Sequence, residues 1–305
     1  MTDTPPSNVR MPGSPTTTPP ATDNTATGNP VTESLGAAGL RFERQGPIGW
    51  CRIDRPQARN AFTPAMYYGL KRAVHLVNAD KDLAALIITG TGDVFSPGGD
   101  MGGRSDPGDE PIPVTGQDVL PFLPIRDSRA PVIAAVNGIC QAGGMLVAML
   151  ADICVASDRA TFRAPELLRG IPDATFAAVL PAHCGLAVAR DLLLSARRLD
   201  ATEALRLGVI SRVVPHQELE RAAVEAAREI LQTPPAARTH VKRMLNERYG
   251  TIDYQTMFWS LETSTEPREG MRAFLEKRSP NWVPEEFAKT SGSSGSSEVS
   301  GAPDR

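Results

Sequence analysis

The chain has 305 residues, long enough to bury a substantial core as one large domain or two. Its 32 basic and 35 acidic residues nearly balance, which excludes the basic footprint of a nucleic-acid binder. The four cysteines, Cys51, Cys140, Cys154 and Cys184, lack metal-ligand spacing and three sit in apolar runs, so buried thiols in a reducing compartment are expected.

Residues 1–35 are rich in Pro, Thr, Ser, Gly and Asn with almost no large apolar side chains. Such a stretch cannot bury enough surface to offset its ordering entropy, and it is expected to be a disordered extension. It holds no signal-peptide core, and no apolar run of the chain approaches a membrane span, so a cytoplasmic protein without membrane contact is expected.

Residues 36–215 read as an α/β core. Residues 40–43 and 48–54, separated by Gly46-Pro47, form a hairpin that Arg55-Pro56 ends. Thr63-Pro64 starts a helix by the cap-then-proline rule, with Met66, Leu70, Val74 and Val77 as its apolar stripe. Residues 83–89 are a branched apolar run suited to a buried parallel strand, followed by the turn Phe95-Ser96-Pro97-Gly98-Gly99-Asp100. Residues 132–136 repeat this pattern: a buried strand, the turn Asn137-Gly138, then Gly143-Gly144 opening a helix over 145–150. Strand–turn–helix alternation of this kind predicts parallel strands. Asp200 begins a further helix with Glu203 as its capping-box partner, Gly208 closes it, and 209–214 is a last short strand.

Beyond residue 216 the strand signals vanish. Helices are expected over 217–232, 234–248, 253–264 and 267–278, giving a helical region over 216–288 before a Gly/Ser-rich tail at 289–305 that is also expected to be disordered.

Two buried strands thus each lead into a loop with bare glycine amides. The first amides of a helix have no intrahelical partner, and the helix dipole adds partial positive charge there. Two such donors converging on one oxygen make an oxyanion hole; close packing of chain segments is the alternative use of these glycines. No G-x-S-x-G elbow, H-E-x-x-H or phosphate-binding P-loop occurs, so neither triad hydrolysis nor a metal site is supported. Of the histidines, only His183 lies near the glycine and carboxylate segments in sequence, and all four read as packed or solvated.

Six segments in order, RPQARNAF at 55–62, FSPGGD at 95–100, AAVNGICQAGGMLVAMLAD at 134–152, FRAPELLRGIP at 162–172, LDATEALRLGVISRVV at 199–214 and EGMRAFLEKRSP at 269–280, resemble the crotonase (enoyl-CoA hydratase/isomerase) superfamily. The resemblance implies a ββα superhelix core with a helical C-terminal region used for oligomerisation, in a homotrimer or homohexamer. It also implies an acyl-CoA thioester substrate, with coenzyme A as part of that substrate and no further cofactor. Matched residue by residue, the amides that would hold the thioester oxygen fall on Gly99 and Gly143. Coenzyme A contacts fall around Arg55 to Ala58 and on Asp100 and Met101, and Lys277, with Arg278 beside it, is a candidate for the phosphates.

Hydratases of this superfamily use two glutamates. One position is Glu166 here, but the other, three residues after Gly143, is Leu146. Moving a double bond needs one base, whereas adding water benefits from two groups. Leu146 in the substrate pocket therefore points to enoyl-CoA isomerisation with Glu166 as base. Asp173 falls where some branches of the superfamily place a functional aspartate, so Glu166 and Asp173 form a candidate acid/base pair; alternatively Asp173 caps the helix that follows. Enoyl-CoA hydration, thioester hydrolysis or decarboxylation, and binding of a thioester without turnover are the alternative functions.

Overall fold

The structure is a computed structural model that describes residues 32–103 and 105–288. The disordered extension expected over 1–35 falls mostly outside the described residues, as does the tail at 289–305. Its last residues are ordered: β1 (Thr32–Glu33) pairs antiparallel with β2 (Leu40–Gln45), and Leu35 is buried. Strand pairing, the Glu33–Arg44 ion pair and one buried apolar side chain dock this end of the segment, which composition averaged over the segment conceals.

The hairpin closes as expected between β2 and β3 (Ile48–Ile53), with Gly46 at a φ of +58° in the turn. Thr63 caps α1 (Pro64–Ala79), its hydroxyl accepting the Met66 N–H at 3.1 Å. Then comes a repeating pair of strands and a helix. β4 (Ala85–Gly90) is followed by β5 (Val94–Ser96) and the short α2 (Phe122–Arg126). β6 (Val132–Val136) and β7 (Ile139–Gln141) precede α3 (Gly143–Leu150). β8 (Ile153–Ser157) and β9 (Thr161–Arg163) precede α4 (Ala174–Ser195).

In each unit the first strand joins one sheet and the second another. With β10 (Leu199–Asp200) and β11 (Arg212–Val214), the described residues form a seven-stranded sheet in the order β1-β2-β3-β4-β6-β8-β11 and a four-stranded sheet in the order β10-β9-β7-β5. From β3 to β11 the large sheet is parallel. This is the ββα superhelix that the resemblance implies. Both faces of the large sheet are covered, which is why its strands read as unbroken apolar runs. Leu86, Ile88, Ala134 and Val136 belong to the main core with α1 and α3. Ile87, Ile133, Ala135 and Val155 belong to a second core with Leu219, Ala223, Ala226 and Ala227 of α6 (Leu219–Leu231).

The capping box at Asp200 is half formed. Asp200 accepts the Glu203 N–H of α5 (Ala201–Arg206), but the Glu203 carboxylate pairs with Arg197 at 3.0 Å instead of returning to the backbone. The last strand is also shorter than expected, because Val209 and Ile210 are buried in the turn before it. The expected C-terminal helices appear as α6, α7 (Pro235–Asn246), α8 (Tyr254–Thr263) and α9 (Glu266–Leu275).

Among the described residues α4 is long and apolar enough to cross a membrane, with a mean hydropathy of 1.4, contrary to the expectation that no run comes near that length. It is not one continuous helix. Gly185 leaves helical geometry at a φ of +77°, and Phe176, Val179 and Leu180 are buried in the core. Three cysteines are buried, and burial pushes the Cys51 and Cys154 thiols up to about 12.

Candidate active site

The loop after β5 and the start of α3 are brought side by side by pairing of β5 with β7. Gly98 has a φ of +98°, and a methyl group there would collide with Ala142. Ala142 itself has a φ of +51°, a strained value for a residue with a side chain, where the chain turns sharply into α3. Gly144 lets the first turn of α3 lie on β5, since a Cβ there would stand 2.5 Å from the Ser96 carbonyl oxygen. Close packing thus accounts for Gly98 and Gly144, and also acts at Gly143, where a Cβ would collide with the Tyr67 hydroxyl. Gly99 and Gly143 differ: their amides donate no hydrogen bond to any described residue.

Those two glycines line a cavity of about 260 Å³ together with Met101, Leu146, Glu166 and Asp173, and with Tyr67 and Arg169. Six of the residues singled out in the sequence therefore share one site. Leu146 is 1 % exposed and presents an apolar wall where a second glutamate would otherwise stand. A second, almost wholly apolar cavity of about 320 Å³ shares Glu166, Ile171 and Asp173 with the first.

Glu166 opens the short helical turn Glu166–Arg169, which Gly170 ends at a φ of +67°. The C-terminal helical region holds that turn in place. A Cβ on Gly170 would lie 2.6 Å from the backbone of Glu266, and one on Gly270 would lie 2.5 Å from that of Arg169. The Arg169 guanidinium lies 4.4 Å from the Phe274 ring centre on α9. One carboxylate oxygen of Glu166 is buried without a hydrogen-bond partner, as is the Arg169 Nε. Burial first, and the nearby Asp173 carboxylate second, push the Glu166 carboxyl up to about 8; the Arg169 charge opposes this. Asp173 caps α4, accepting the Phe176 N–H at 2.9 Å, so the capping use holds while the carboxyl also faces the cavity. Burial raises the Asp173 carboxyl as well, against those backbone bonds.

The remaining expected contacts lie elsewhere. The Arg55 side chain is committed within the protein, donating to Asp106 at 2.8 Å, to Asp100 at 2.7 Å and to the Ala61 carbonyl at 3.1 Å. Arg55 and Asp100 therefore brace the loop from behind. The Phe62 N–H donates to the Gly98 carbonyl and the Asp100 N–H to the Phe62 carbonyl, both at 2.8 Å. Ala58 sits on the short turn Pro56–Ala58, outside the cavity wall. Lys277 is exposed beyond α9, away from the cavity lining, and Arg278 is paired with Glu269 at 2.6 Å. His183 lies in a different cavity, with Asp152, Lys242 and Tyr249.

Tyr67 and Arg169 were not legible as site residues. Tyr67 follows Met66 on α1, and its only signal in the sequence is a large aromatic one position off the apolar stripe. Arg169, three residues after Glu166, carries no spacing signal of its own in the sequence.

Unpaired amides, half-buried carboxyls and apolar walls in one cavity are the set needed for proton transfer beside a carbonyl. The profile of the family described as enoyl-CoA hydratase/isomerase matches residues 43–285. The chain belongs to that family. It is similar to a probable mitochondrial enoyl-CoA hydratase of Dictyostelium discoideum, 32% identical over 79% of this chain and 89% of the relative. It is also similar to a carnitinyl-CoA dehydratase of Salmonella arizonae, 35% identical over 80% of this chain and 97% of the relative. Among solved structures it matches a carnitinyl-CoA dehydratase from Mycobacterium avium, with a TM-score of 0.69, 29% identity and coverage of 81% of this chain and 99% of that one. A monofunctional enoyl-CoA isomerase from M. smegmatis matches with a TM-score of 0.58 and 27% identity, over 68% of this chain and 91% of that one. This member of the crotonase superfamily is thus an acyl-CoA enzyme of the enoyl-CoA hydratase/isomerase family.

Proposed function

We propose that this enzyme moves the double bond of an enoyl-CoA, with Glu166 as the base that removes a proton and returns it to another carbon. The Gly99 and Gly143 amides hold the thioester oxygen, whose negative charge grows as the proton leaves. The second, apolar cavity beside Glu166 offers room for the acyl group, and exposed Lys277 is the candidate contact for the coenzyme A phosphates. The observation that carries the reading is the pairing of half-buried Glu166, one carboxylate oxygen sealed from solvent and its carboxyl pushed up to about 8, with apolar Leu146 in the same cavity. A base of that strength is well matched to abstraction at neutral pH.

Hydration, or its reverse, is the second reading. It is favoured by Asp173, a second carboxyl in the cavity, and by the hydratase and dehydratase names of the relatives. A mass-resolved assay on a panel of enoyl-CoAs separates the two, because isomerisation leaves the mass unchanged, hydration adds one water and hydrolysis releases free coenzyme A. Hydration of a 2-enoyl-CoA at a rate far above any isomerisation overturns the first reading. Assembly as a homotrimer or a pair of trimers is part of the proposal, supported by exposed Trp259 and Leu275 on α8 and α9.

A further inference from the structure

Tyr67 is placed by the first turn of α1, its N–H donating to the Thr63 carbonyl at 3.1 Å. Its ring lies 4.9 Å from that of Phe62 and 6.0 Å, edge-on, from that of Phe122, so the side chain is fixed on two sides. The hydroxyl at its tip reaches both glycines. A Cβ built on Gly99 would stand 3.6 Å from it, and one built on Gly143 would collide with it. In a helix the Cα–Cβ direction tilts toward the N-terminus, the direction in which the free N–H groups also point. At Gly143, the first residue of α3, the Tyr67 hydroxyl therefore lies beside the N-terminal end of the helix. Among the described residues that hydroxyl has no hydrogen-bond partner, and it lines the same cavity as Glu166 and Asp173.

We infer that the Tyr67 hydroxyl is a third hydrogen-bond donor to the thioester oxygen, beside the amides of Gly99 and Gly143. The inference rests on the acyl-CoA reading of the site. An oxygen seated against the Gly143 amide is a neighbour of the Tyr67 hydroxyl, which then donates its O–H and stays protonated throughout. Burial and the two carboxyls disfavour the phenolate, so the group remains a neutral donor over the working pH range. This residue also adds a polar group to a wall that Leu146 leaves apolar, at the oxygen rather than at the carbon that loses its proton.

The test uses the full chain carrying Tyr67→Phe, which keeps the ring between Phe62 and Phe122. Turnover of a 3-enoyl-CoA is expected to fall about 10- to 100-fold, at or below the loss typical of one oxyanion donor. The second readout is the carbonyl stretch of a carbon-13-labelled enoyl thioester bound to Glu166→Gln protein. With Tyr67 present the stretch is expected at lower frequency than in the Tyr67→Phe, Glu166→Gln double variant. Incorporating a fluorinated tyrosine at 67, a stronger donor, should lower it further, and this arm holds even if the phenylalanine variant folds poorly. Unchanged turnover with an unmoved carbonyl stretch overturns the inference while leaving the acyl-CoA reading intact. A gain in turnover on removing the hydroxyl also overturns it, showing that Tyr67 obstructs the site. Wild-type protein that neither binds nor converts any enoyl thioester defeats the acyl-CoA reading itself, and the inference with it.

Discussion

Replacing Glu166 with glutamine is expected to remove activity and at the same time to stabilise the protein at alkaline pH. The carboxyl ordinarily ionises at 4.5 but is held up to about 8 in the fold, chiefly by burial. Because the folded value lies above the unfolded one, the stability of the wild-type protein is fully present below about pH 4.5 and is lost progressively as pH rises toward 8. Each pH unit in that window costs at most about 1.4 kcal/mol, giving an upper bound of about 4 kcal/mol at pH 8. Relaxation of the site reduces this, and a difference of about 1 kcal/mol corresponds to roughly 2–4 °C in Tm for a chain of this size. Glutamine has no charge to bury. Thermal melts of wild type and Glu166→Gln should therefore nearly coincide at pH 5 and separate at pH 8, with the variant higher by at least a few degrees. In the same proteins, wild-type kcat/KM should rise with pH to a plateau above about 8, while the variant loses about 100- to 10,000-fold at the plateau. A variant that keeps full activity refutes the assignment of the base. Melts that differ equally at both pH values refute the claim that burial holds this carboxyl neutral.

Asp173→Asn keeps a good helix cap but removes the negative charge beside Glu166, so the rising limb of the pH–rate profile should move to lower pH. Its plateau should stay within about tenfold of wild type; a loss of about 100-fold or more instead makes Asp173 the partner acid. Leu146→Glu returns a second carboxyl to the cavity and should raise hydration relative to isomerisation, read as the ratio of water-added to mass-unchanged product. Gly270→Ala forces α9 off the Glu166–Arg169 turn and should lower both Tm and kcat, although residue 270 lies outside the cavity lining; normal kcat would mean that α9 does not position Glu166.

The local structure of this protein is written in short segments of the chain. Both glycine loops, the Thr63 cap and the strand at 132–136 follow from steric and hydrogen-bonding rules that act over a few residues. The unbroken apolar runs foretold a sheet covered on both faces, because each strand must satisfy α6 on one side and the main core on the other. Six of the site residues were legible from the resemblance, since they sit in short segments with fixed spacing. Which groups meet across long stretches of chain depends instead on how the elements pack. Arg55 looked like a substrate contact, but the fold places Asp100 and Asp106 against its guanidinium, leaving it a brace for the glycine loop. Tyr67 lies far in sequence from Gly143 and Glu166, and only the packing of α1 against α2 and the cavity brings its hydroxyl to them. The strength of Glu166 as a base was likewise invisible, because burial and the distance to another charge belong to the packed molecule and not to any segment of it.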